Sequence, residues 1–258
     1  MLKVVSWNVN SINVRKDQVL RFLEEKQPDF LLLQETKVEH FPKEPFQRLG
    51  YDVYHAGGKG RNGVAILSKV KADATVIGFG DLFKDVQAKE RLIGCRFNDL
   101  TIFSVYVPNG APVESDYYYY KLEFFYHLRE YLEKNFSPED KVILGGDFNV
   151  ALQQEDVYDP LLFEGQICFT ERERKAMFYL LDWGLVDTFR LLYPDKKGLF
   201  TWWDYQFSAF KKNLGMRLDY ILTTKPLAQH LKECEVDLKT RALPKPSDHA
   251  PIIAVFDI

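Results

Sequence analysis

The chain has 258 residues, of which 46% are hydrophobic and 28% are charged, and its net charge at pH 7 is -3. This length is ample for one large domain with a buried core, and the composition is that of an ordinary globular protein. Because the net charge is slightly negative, the chain cannot attract polyanions through its overall charge. Any binding to a polyanion has to use local basic patches.

The three cysteines lie far apart, at Cys95, Cys168 and Cys234, and they form no CxxC pair. This spacing argues against a disulfide framework or a structural zinc site and suits a reducing compartment. No apolar run approaches the ~20 residues of a membrane span, and the N-terminus lacks the pattern of a signal peptide. We therefore expect a cytoplasmic protein that does not bind membranes.

Runs rich in Val, Ile, Leu, Phe and Tyr predict strands along the whole chain. In chain order these runs are Leu2–Trp7, Phe30–Gln34, Tyr51–His55, Val64–Leu67, Leu92–Phe97, Thr101–Val107, Lys141–Leu144, Tyr220–Leu222 and Ile252–Phe256. Apolar residues at helical spacing predict helices at Val14–Lys26, Tyr117–Lys134 and Glu171–Trp183, the last with Thr170 as N-cap and Gly184 as its stop. No linker divides the chain, so we expect a single α/β domain over residues 1–258, with two packed sheets and helices outside.

Polar side chains recur where these strands begin or end. In LGGDFNVA, Leu144–Ala151, a buried run meets two glycines and then presents Asp147 and Asn149, which point to the same side if the chain is extended. Any one such residue is typical of a turn or cap. Because the ends of packed sheets meet in space, the recurrence predicts a common site. Its members are Asn8, Glu35, Asp147, Asn149, Asp219, Asp248 and His249.

This set is rich in oxygen donors, contains one imidazole and lacks a thiolate. Hard oxygen ligands favour Mg²⁺ or Mn²⁺ over zinc. An acid beside an imidazole, as at Asp248 and His249, makes the imidazole a base or a cationic clamp near neutral pH. Metal, carboxylate, carboxamide and imidazole together suit attack by water on a phosphoester.

Seven segments, taken in order, resemble the motif series of a known superfamily. They are WNVNSI, LLLQETK, NGVAILSK, YVPNG, LGGDFNVA, GMRLDYIL and PSDHAPI. Their series is similar to that of the endonuclease/exonuclease/phosphatase superfamily, and more narrowly to bacterial exonuclease III and the related apurinic/apyrimidinic endonucleases. The resemblance runs from Val4 to Pro251. It implies a DNase I-like, four-layered αββα sandwich of two packed mixed sheets with outer helices and a site at one edge.

The same resemblance implies a Mg²⁺-dependent DNA repair nuclease, with Mn²⁺ as a substitute. Such an enzyme hydrolyses phosphodiesters of duplex DNA, cleaves 5′ to abasic sites, and removes 3′-blocking groups or 3′ nucleotides. The implied partner is double-stranded DNA with abasic sites or blocked 3′ ends. We expect a monomer without an obligate protein partner, associated with the bacterial nucleoid.

Catalytic roles follow from the resemblance. Glu35 is the expected central metal ligand, and Asp147 is the favoured activator of the attacking water. Asn149 positions the water or the phosphate. His249 contacts the phosphate and ranks behind Asp147 as base, because pairing with Asp219 biases a histidine toward the cation. The full metal or phosphate set is Asn8, Glu35, Asp147, Asn149, Asp248 and His249.

Substrate contacts are implied in the same way. Tyr106 lends its hydroxyl to the phosphate or leaving group, and Trp202 lines a pocket for a sugar without a base. Many family members have tryptophan where Met216 stands, and methionine makes the pocket softer. Glycines around Arg61 let backbone approach a phosphate, although a mobile hairpin tip has the same pattern. The expected DNA-contacting residues are Arg61, Asn109, Trp202, Lys211, Lys212, Met216 and Leu218.

Two alternatives stay open at this point. The same chemistry could serve a phosphatase or sphingomyelinase-type hydrolase of small or lipid phosphoesters. A non-catalytic DNA-binding module could keep the fold, but its sequence mark would be a missing acid or histidine, and every expected position is filled.

Overall fold

A computed structural model describes every residue from Met1 to Ile258. Fourteen strands form two six-stranded sheets and one two-stranded ribbon. The strands are β1 Leu2–Asn8, β2 Phe30–Gln34, β3 Asp52–Gly58, β4 Arg61–Ser68, β5 Ala74–Ile77, β6 Leu92–Phe97, β7 Leu100–Tyr106, β8 Lys141–Asp147, β9 Leu185–Asp187, β10 Trp202–Trp203, β11 Gly215–Met216, β12 Asp219–Thr224, β13 Leu231–Val236 and β14 Ile252–Phe256. The first sheet has the order β13-β14-β1-β2-β4-β3, and the second has the order β5-β6-β7-β8-β12-β9.

Nine α-helices connect or cover these strands. They are α1 Ile12–Lys26, α2 Lys43–Arg48, α3 Asp116–Asn135, α4 Pro160–Phe163, α5 Glu171–Leu181, α6 Thr188–Leu192, α7 Ala209–Lys212, α8 Lys225–Ala228 and α9 Leu238–Arg241. The three long ones begin at side-chain caps, where Ser11, Ser115 and Thr170 each accept a backbone N–H of the first turn. None of the nine combines the length and the apolar character that crossing a bilayer requires.

The core is arranged in layers. Val4 and Ile143 belong to a cluster buried between the two sheets, whereas their neighbours Val5 and Leu144 face outward to the helices. This alternation follows from the period of two in a strand. Helix α1 packs on the first sheet, and α3 and α5 pack on the second. The result is the expected αββα order of helix, sheet, sheet and helix.

Strand directions bring several chain ends to one edge of both sheets. Strands β1 and β2 run parallel, and so do β7 and β8, while β12 runs antiparallel to β8. The last residue of β8, Asp147, therefore lies opposite the first residue of β12, Asp219. Because β1 and β2 end at the same edge of the first sheet, Asn8 and Glu35 follow there.

Two glycines near the end of β8 allow close approach at this edge. A Cβ atom at Gly145 would lie 2.4 Å from Leu32 Cδ1 in the other sheet, and one at Gly146 would lie 2.0 Å from the Val105 carbonyl oxygen. Both contacts are too short for a side chain. In LGGDFNVA, Gly145 thus allows the two sheets to lie close together, and Gly146 allows β7 and β8 to do so, where β8 ends at Asp147.

The nine strands and three helices expected from sequence patterns are all present, with ends shifted by a few residues. The patterns missed β5, β9, β10, β11, β13 and the six short helices. Strand β13 lies at a sheet edge and exposes charged side chains, so it has no continuous apolar run. The other missed elements are too short to establish a period.

We expect Gly146→Ala to lower the free energy of unfolding by about 3 kcal/mol, because the new methyl group meets fixed backbone of β7. Gly145→Ala is the matched control. It should cost only about 1 kcal/mol, because the end of the Leu32 side chain can turn away. Urea denaturation of both variants measures the difference, and a loss below about 0.5 kcal/mol for Gly146→Ala would contradict this packing.

Candidate active site

A cavity of about 290 Å³ opens where the two sheets share an edge. Its polar lining consists of Glu35, Tyr106, Asn109, Asp147, Asn149, Asp248 and His249. The remaining wall is formed by Phe163, Ile167, Cys168, Trp202, Met216 and Leu218. Strand ends that are far apart in sequence therefore meet in one place, as predicted.

Two carboxylates from different sheets face each other across the side chain of Asn8. The side-chain amide nitrogen of Asn8 donates to Glu35 Oε1 at 2.7 Å and to Asp147 Oδ2 at 2.9 Å. The amide oxygen of Asn8 accepts the backbone N–H of Asn10 at 3.0 Å, and this bond fixes which end of the amide faces the acids. Asn8 thus links the carboxylates through its nitrogen, which differs from the expected oxygen ligand.

The backbone at Glu35 is held in an unusual conformation. Its φ is 50°, in the left-handed region. Its carbonyl oxygen accepts the N–H of Ser11, and the next residue, Thr36, donates its N–H to Gly63. Gly63 has a φ of 96°, and a Cβ there would lie 2.0 Å from Thr36 Oγ1. Neighbouring turns thus hold Glu35 in a conformation that an isolated chain would avoid.

His249 is almost fully buried between two acids. Its Nδ1 lies 2.7 Å from Asp219 Oδ2, and its Nε2 lies 3.5 Å from Asp147 Oδ2. Burial disfavours the imidazolium, but the charges of Asp219 and Asp147 outweigh burial and hold the pKa of His249 well above its ordinary value. The imidazole is therefore cationic near neutral pH.

The pKa of Asp147 is also raised above its ordinary value, to about 7. Burial is the largest cause of this raised pKa, the charge of His249 opposes it, and the charges of Asp219 and Glu35 add to it. The Oδ1 atom accepts the N–H of Asn149 at 3.0 Å. A carboxyl group with such a pKa can exchange a proton near neutral pH.

Asn149 reaches the cavity through a turn. Strand β8 ends at Asp147, and Asn149 has a φ of 51°, so the two side chains converge as predicted but not through an extended chain. The Asn149 side chain donates to the Val107 carbonyl oxygen at 2.8 Å. Phe148 points the other way and is fully buried in the core.

Tyr106 lines the cavity with its ring largely buried. Burial raises the pKa of Tyr106 well above its ordinary value, and the charges of Glu35 and Asp147 act in the same direction. The hydroxyl therefore keeps its proton and can donate it in a hydrogen bond. Asn109 lies beside it in the lining, where its amide nitrogen is 3.8 Å from Cys168 Sγ.

The adjacent residues Trp202 and Trp203 have different surroundings, and Trp202 lines the cavity as predicted. Trp203 is buried in the core, whereas Trp202 is half-buried and lines the cavity next to Met216, its partner across the β10–β11 ribbon. The indole N–H of Trp202 donates to Asp248 Oδ2 at 3.0 Å. Leu218 completes this apolar wall, so the three residues expected to line a sugar pocket lie together.

The expected metal set is only partly gathered. Ligand atoms of Glu35, Asp147 and His249 lie within 4.8 Å of one another. Asp248 also lines the cavity, but its carboxylate is bound by Trp202 and by the amide of Asn10. Asp219 lies behind His249 and is fully buried.

The donor set fits a hard divalent cation. Glu35 and Asp147 supply carboxylate oxygens, and Asp219 Oδ1 is buried without a hydrogen-bond partner, which leaves negative charge at the site incompletely balanced. Burial raises the pKa of the Cys168 thiol to about 12, so the sulfur in the wall stays protonated and is a poor ligand. Glu35 would hold the ion, with Asp147 beside it, while the protonated His249 would not.

The three basic residues lie outside this cavity. Arg61 is exposed and forms two hydrogen bonds of 3.1 Å with Glu90, so its charge is already paired. Lys211 and Lys212 lie on α7 without a salt bridge, and Lys212 lines a separate cavity of about 510 Å³. That cavity is larger, but it lacks converging acids, so we place the chemistry in the smaller one. DNA contacts by these three residues stay predictions.

Several site residues were not singled out from the sequence. Lys37 lies 3.4 Å from Glu35 Oε2 and donates to Asn10 Oδ1 at 2.6 Å, and its position in LLLQETK was a usable signal. Phe163 and Ile167 join the cavity wall from irregular chain, where no periodic pattern marks them. Cys168 was noted only as an isolated thiol, although it lies in the Gly165–Phe169 loop.

Comparisons with known proteins agree with this geometry. Residues 5–249 match the Endonuclease/Exonuclease/phosphatase family. Exodeoxyribonuclease III of Haemophilus influenzae is 35% identical over 99% of this chain and 100% of its own length. An AP endonuclease from Archaeoglobus fulgidus superposes with a TM-score of 0.95 at 39% identity, covering 100% of both chains. A Neisseria 3′ phosphatase, NExo, bound to a product DNA hairpin, gives 0.94 at 37% identity, again covering 100% of both chains.

Fold and site therefore define a hydrolase of the nuclease class. The chain belongs to the endonuclease/exonuclease/phosphatase family, and its relatives include both exonuclease III proteins and AP endonucleases. Every acid and histidine expected for catalysis is present at the shared edge, which argues against a non-catalytic module. No relative among these points to a lipid phosphoester as substrate.

We expect Asp219→Asn to lower the pKa of His249, because Asp219 supplies the leading charge that outweighs burial. The imidazolium should then lose its proton at a lower pH than in the unaltered protein. NMR titration of the imidazole resonances in the presence of EDTA measures the shift, with exposed His230 as internal control. An unchanged His249 titration would contradict the assigned role of the Asp219–His249 pair.

Proposed function

We propose that this protein is a Mg²⁺-dependent DNA repair nuclease that cleaves duplex DNA 5′ to abasic sites and removes 3′-blocking groups or 3′ nucleotides. Mn²⁺ is the expected substitute ion. The relatives support DNA as the substrate, since they include exodeoxyribonuclease III, AP endonucleases and a 3′ phosphatase bound to a DNA hairpin.

One observation carries the proposal. The carboxylates of Glu35 and Asp147 come from different sheets and lie beside a histidine that Asp219 keeps charged, in a cavity with an apolar wall. The two carboxylates suit a divalent ion, and the imidazolium suits a phosphate group. The wall suits the sugar next to that phosphate.

A bound Mg²⁺ would supply positive charge that stabilises the charge developing on the phosphoryl oxygens. Glu35 is placed to hold it, since its carboxylate faces the cavity and is bound by Asn8 and Lys37. These two partners keep the Glu35 side chain in one orientation.

Asp147 is the group we propose to take the proton from the attacking water. Burial brings its pKa to about 7, close to the pH at which a base must both hold and release a proton. Asn149 donates its N–H to Asp147 and so orients the carboxylate, while its own side chain fixes the turn at Val107.

His249 and Tyr106 are the proposed donors to the phosphate. His249 is a cation with its Nδ1 side held by Asp219, which leaves the Nε2–H for an oxygen of the phosphoryl group. The Tyr106 hydroxyl keeps its proton and can donate to the leaving oxygen. Neither group has to change its protonation before the substrate binds.

Trp202, Met216 and Leu218 are proposed to receive the sugar of an abasic site or of a 3′ terminal nucleotide. Their wall lies in the same cavity as the acids, so sugar and phosphate can be held together. We further propose that residues 1–258 act as one domain and as a monomer. A location at the bacterial nucleoid stays a prediction.

We expect Glu35→Ala and Asp147→Asn each to lower the rate of incision of an abasic duplex by about 1,000-fold or more, because each removes a charge that acts in the transition state. Glu25→Ala, an exposed acid on α1, is the control and should keep full activity. Gel assays on abasic, 3′-phosphate and recessed 3′-hydroxyl duplexes, with and without Mg²⁺, provide the measurement. Full activity of either site variant, or of the unaltered protein in EDTA, would refute the proposal.

We expect Trp202→Ala to raise KM for an abasic duplex by about tenfold, because the sugar loses one wall of its pocket. Trp202→Phe should largely restore KM, since it keeps an aromatic wall and loses only the bond to Asp248. Tyr119→Ala, which removes an exposed aromatic on α3, is the control. Steady-state kinetics of the three variants test the assignment, and an unchanged KM for Trp202→Ala would remove Trp202 from the pocket.

A further inference from the structure

A buried ion pair lies beneath the cavity, between α3 and α5. Lys121 Nζ lies 2.5 Å from Glu173 Oε1, and both side chains are fully inaccessible to solvent. Replacing a buried ion pair by apolar residues of similar size often leaves stability unchanged or improves it. A contribution to folding alone is therefore a weak explanation for this pair.

The lysine uses its other N–H groups on two loops of the active site. Nζ donates to the Asn109 carbonyl oxygen at 3.0 Å and to the Asn149 carbonyl oxygen at 2.7 Å. An ammonium group has three donors, so all three are engaged. Both loop residues line the cavity, one beside Tyr106 and the other beside Asp147.

The glutamate extends the same network to a third loop. Glu173 Oε1 accepts the backbone N–H of Cys168 at 3.1 Å, and Oε2 accepts the N–H and the hydroxyl of Thr170 at 2.9 Å each. Cys168 also lines the cavity, with a φ of 70° that a residue other than glycine rarely adopts. The bond to Glu173 helps to hold it there.

Gly110 shows that one of these loops is shaped around the lysine. Its φ is 82°, and a Cβ atom there would lie 2.8 Å from Lys121 Cδ. The loop of YVPNG thus passes directly over the aliphatic part of the buried side chain. A side chain at position 110 would therefore collide with Lys121.

We propose that Lys121 and Glu173 are positioning residues that set the backbones of Asn109, Asn149 and Cys168 and thereby the shape of the catalytic cavity. Neither touches the substrate. They act by holding three separate loops against one buried pair of charges. This inference rests on the proposed nuclease function for its effect on rate, but not for its effect on structure.

The test compares stability with catalysis in matched variants. Lys121→Met leaves the Glu173 carboxylate buried without its partner, so Tm should fall. The double variant Lys121→Met/Glu173→Gln removes both charges at similar volume and should recover most of the Tm. We expect kcat for incision of an abasic duplex to stay about 100-fold low in both, because misplaced catalytic groups are not restored. The KM should change much less.

Leu128→Ala is the control for stability. It creates a cavity in the core on the same helix and lowers Tm, and its side chain forms no hydrogen bond with the three loops. Assayed below its Tm, it should keep the kcat of the unaltered protein. If kcat recovers together with Tm in the double variant, or falls equally in Leu128→Ala, the pair is structural only and the proposal is overturned.

A second readout does not depend on activity. The backbone amide resonances of Gly110, Val150 and Cys168 should shift in the double variant and stay in place in Leu128→Ala. If the unaltered protein cleaves no DNA, the proposed function fails, yet these resonances still decide the positioning role. Unchanged resonances in the double variant would overturn it.

Discussion

The structure depends on holding three carboxylates together at one edge of two packed sheets, two of them buried and Glu35 partly exposed. Glu35 comes from the first sheet, and Asp147 and Asp219 come from neighbouring strands of the second. Like charges this close are stable only if cations or bound protons balance them. The imidazolium of His249 balances part of this charge, while burial and the charges of Asp219 and Glu35 raise the pKa of Asp147 to about 7. The carboxylates are therefore complementary to a divalent ion, and the imidazolium is complementary to a phosphate.

The fold brings these acids together at a cost in backbone conformation. Gly145 and Gly146 allow the close approach of neighbouring strands and sheets. Asn10, Glu35, Asn149 and Cys168 all have positive φ angles, although none is a glycine. Such strain persists only where surrounding structure fixes it, and Glu35, Asn149 and Cys168 all line the cavity. Below the cavity, Gln34 binds Ser6 and Ser104, which links the sheets through polar groups within the core. These contacts hold the acids in fixed positions.

Much of this was predictable because strands and long helices leave periodic patterns. The αββα layers, the capped helix at Thr170 and the gathering of polar strand ends all follow from patterns in the chain. The turn at Asn149, the amide orientation of Asn8 and the pairing of Arg61 with Glu90 do not, because they depend on groups distant in sequence. Lys121 and Glu173 are the clearest case. Each looks like an ordinary charged residue on an amphipathic helix, and only the packing of α3 against α5 shows that both are buried.

The central claim is that Glu35 holds one divalent ion beside Asp147 and His249. The most direct test is a crystal soaked in Mn²⁺ and measured with X-rays at which manganese scatters anomalously. The account predicts one strong anomalous peak within about 2.2 Å of a carboxylate oxygen of Glu35, next to Asp147, and loss of this peak in Glu35→Ala. A peak bound by other residues, or a peak that survives in that variant, would contradict it.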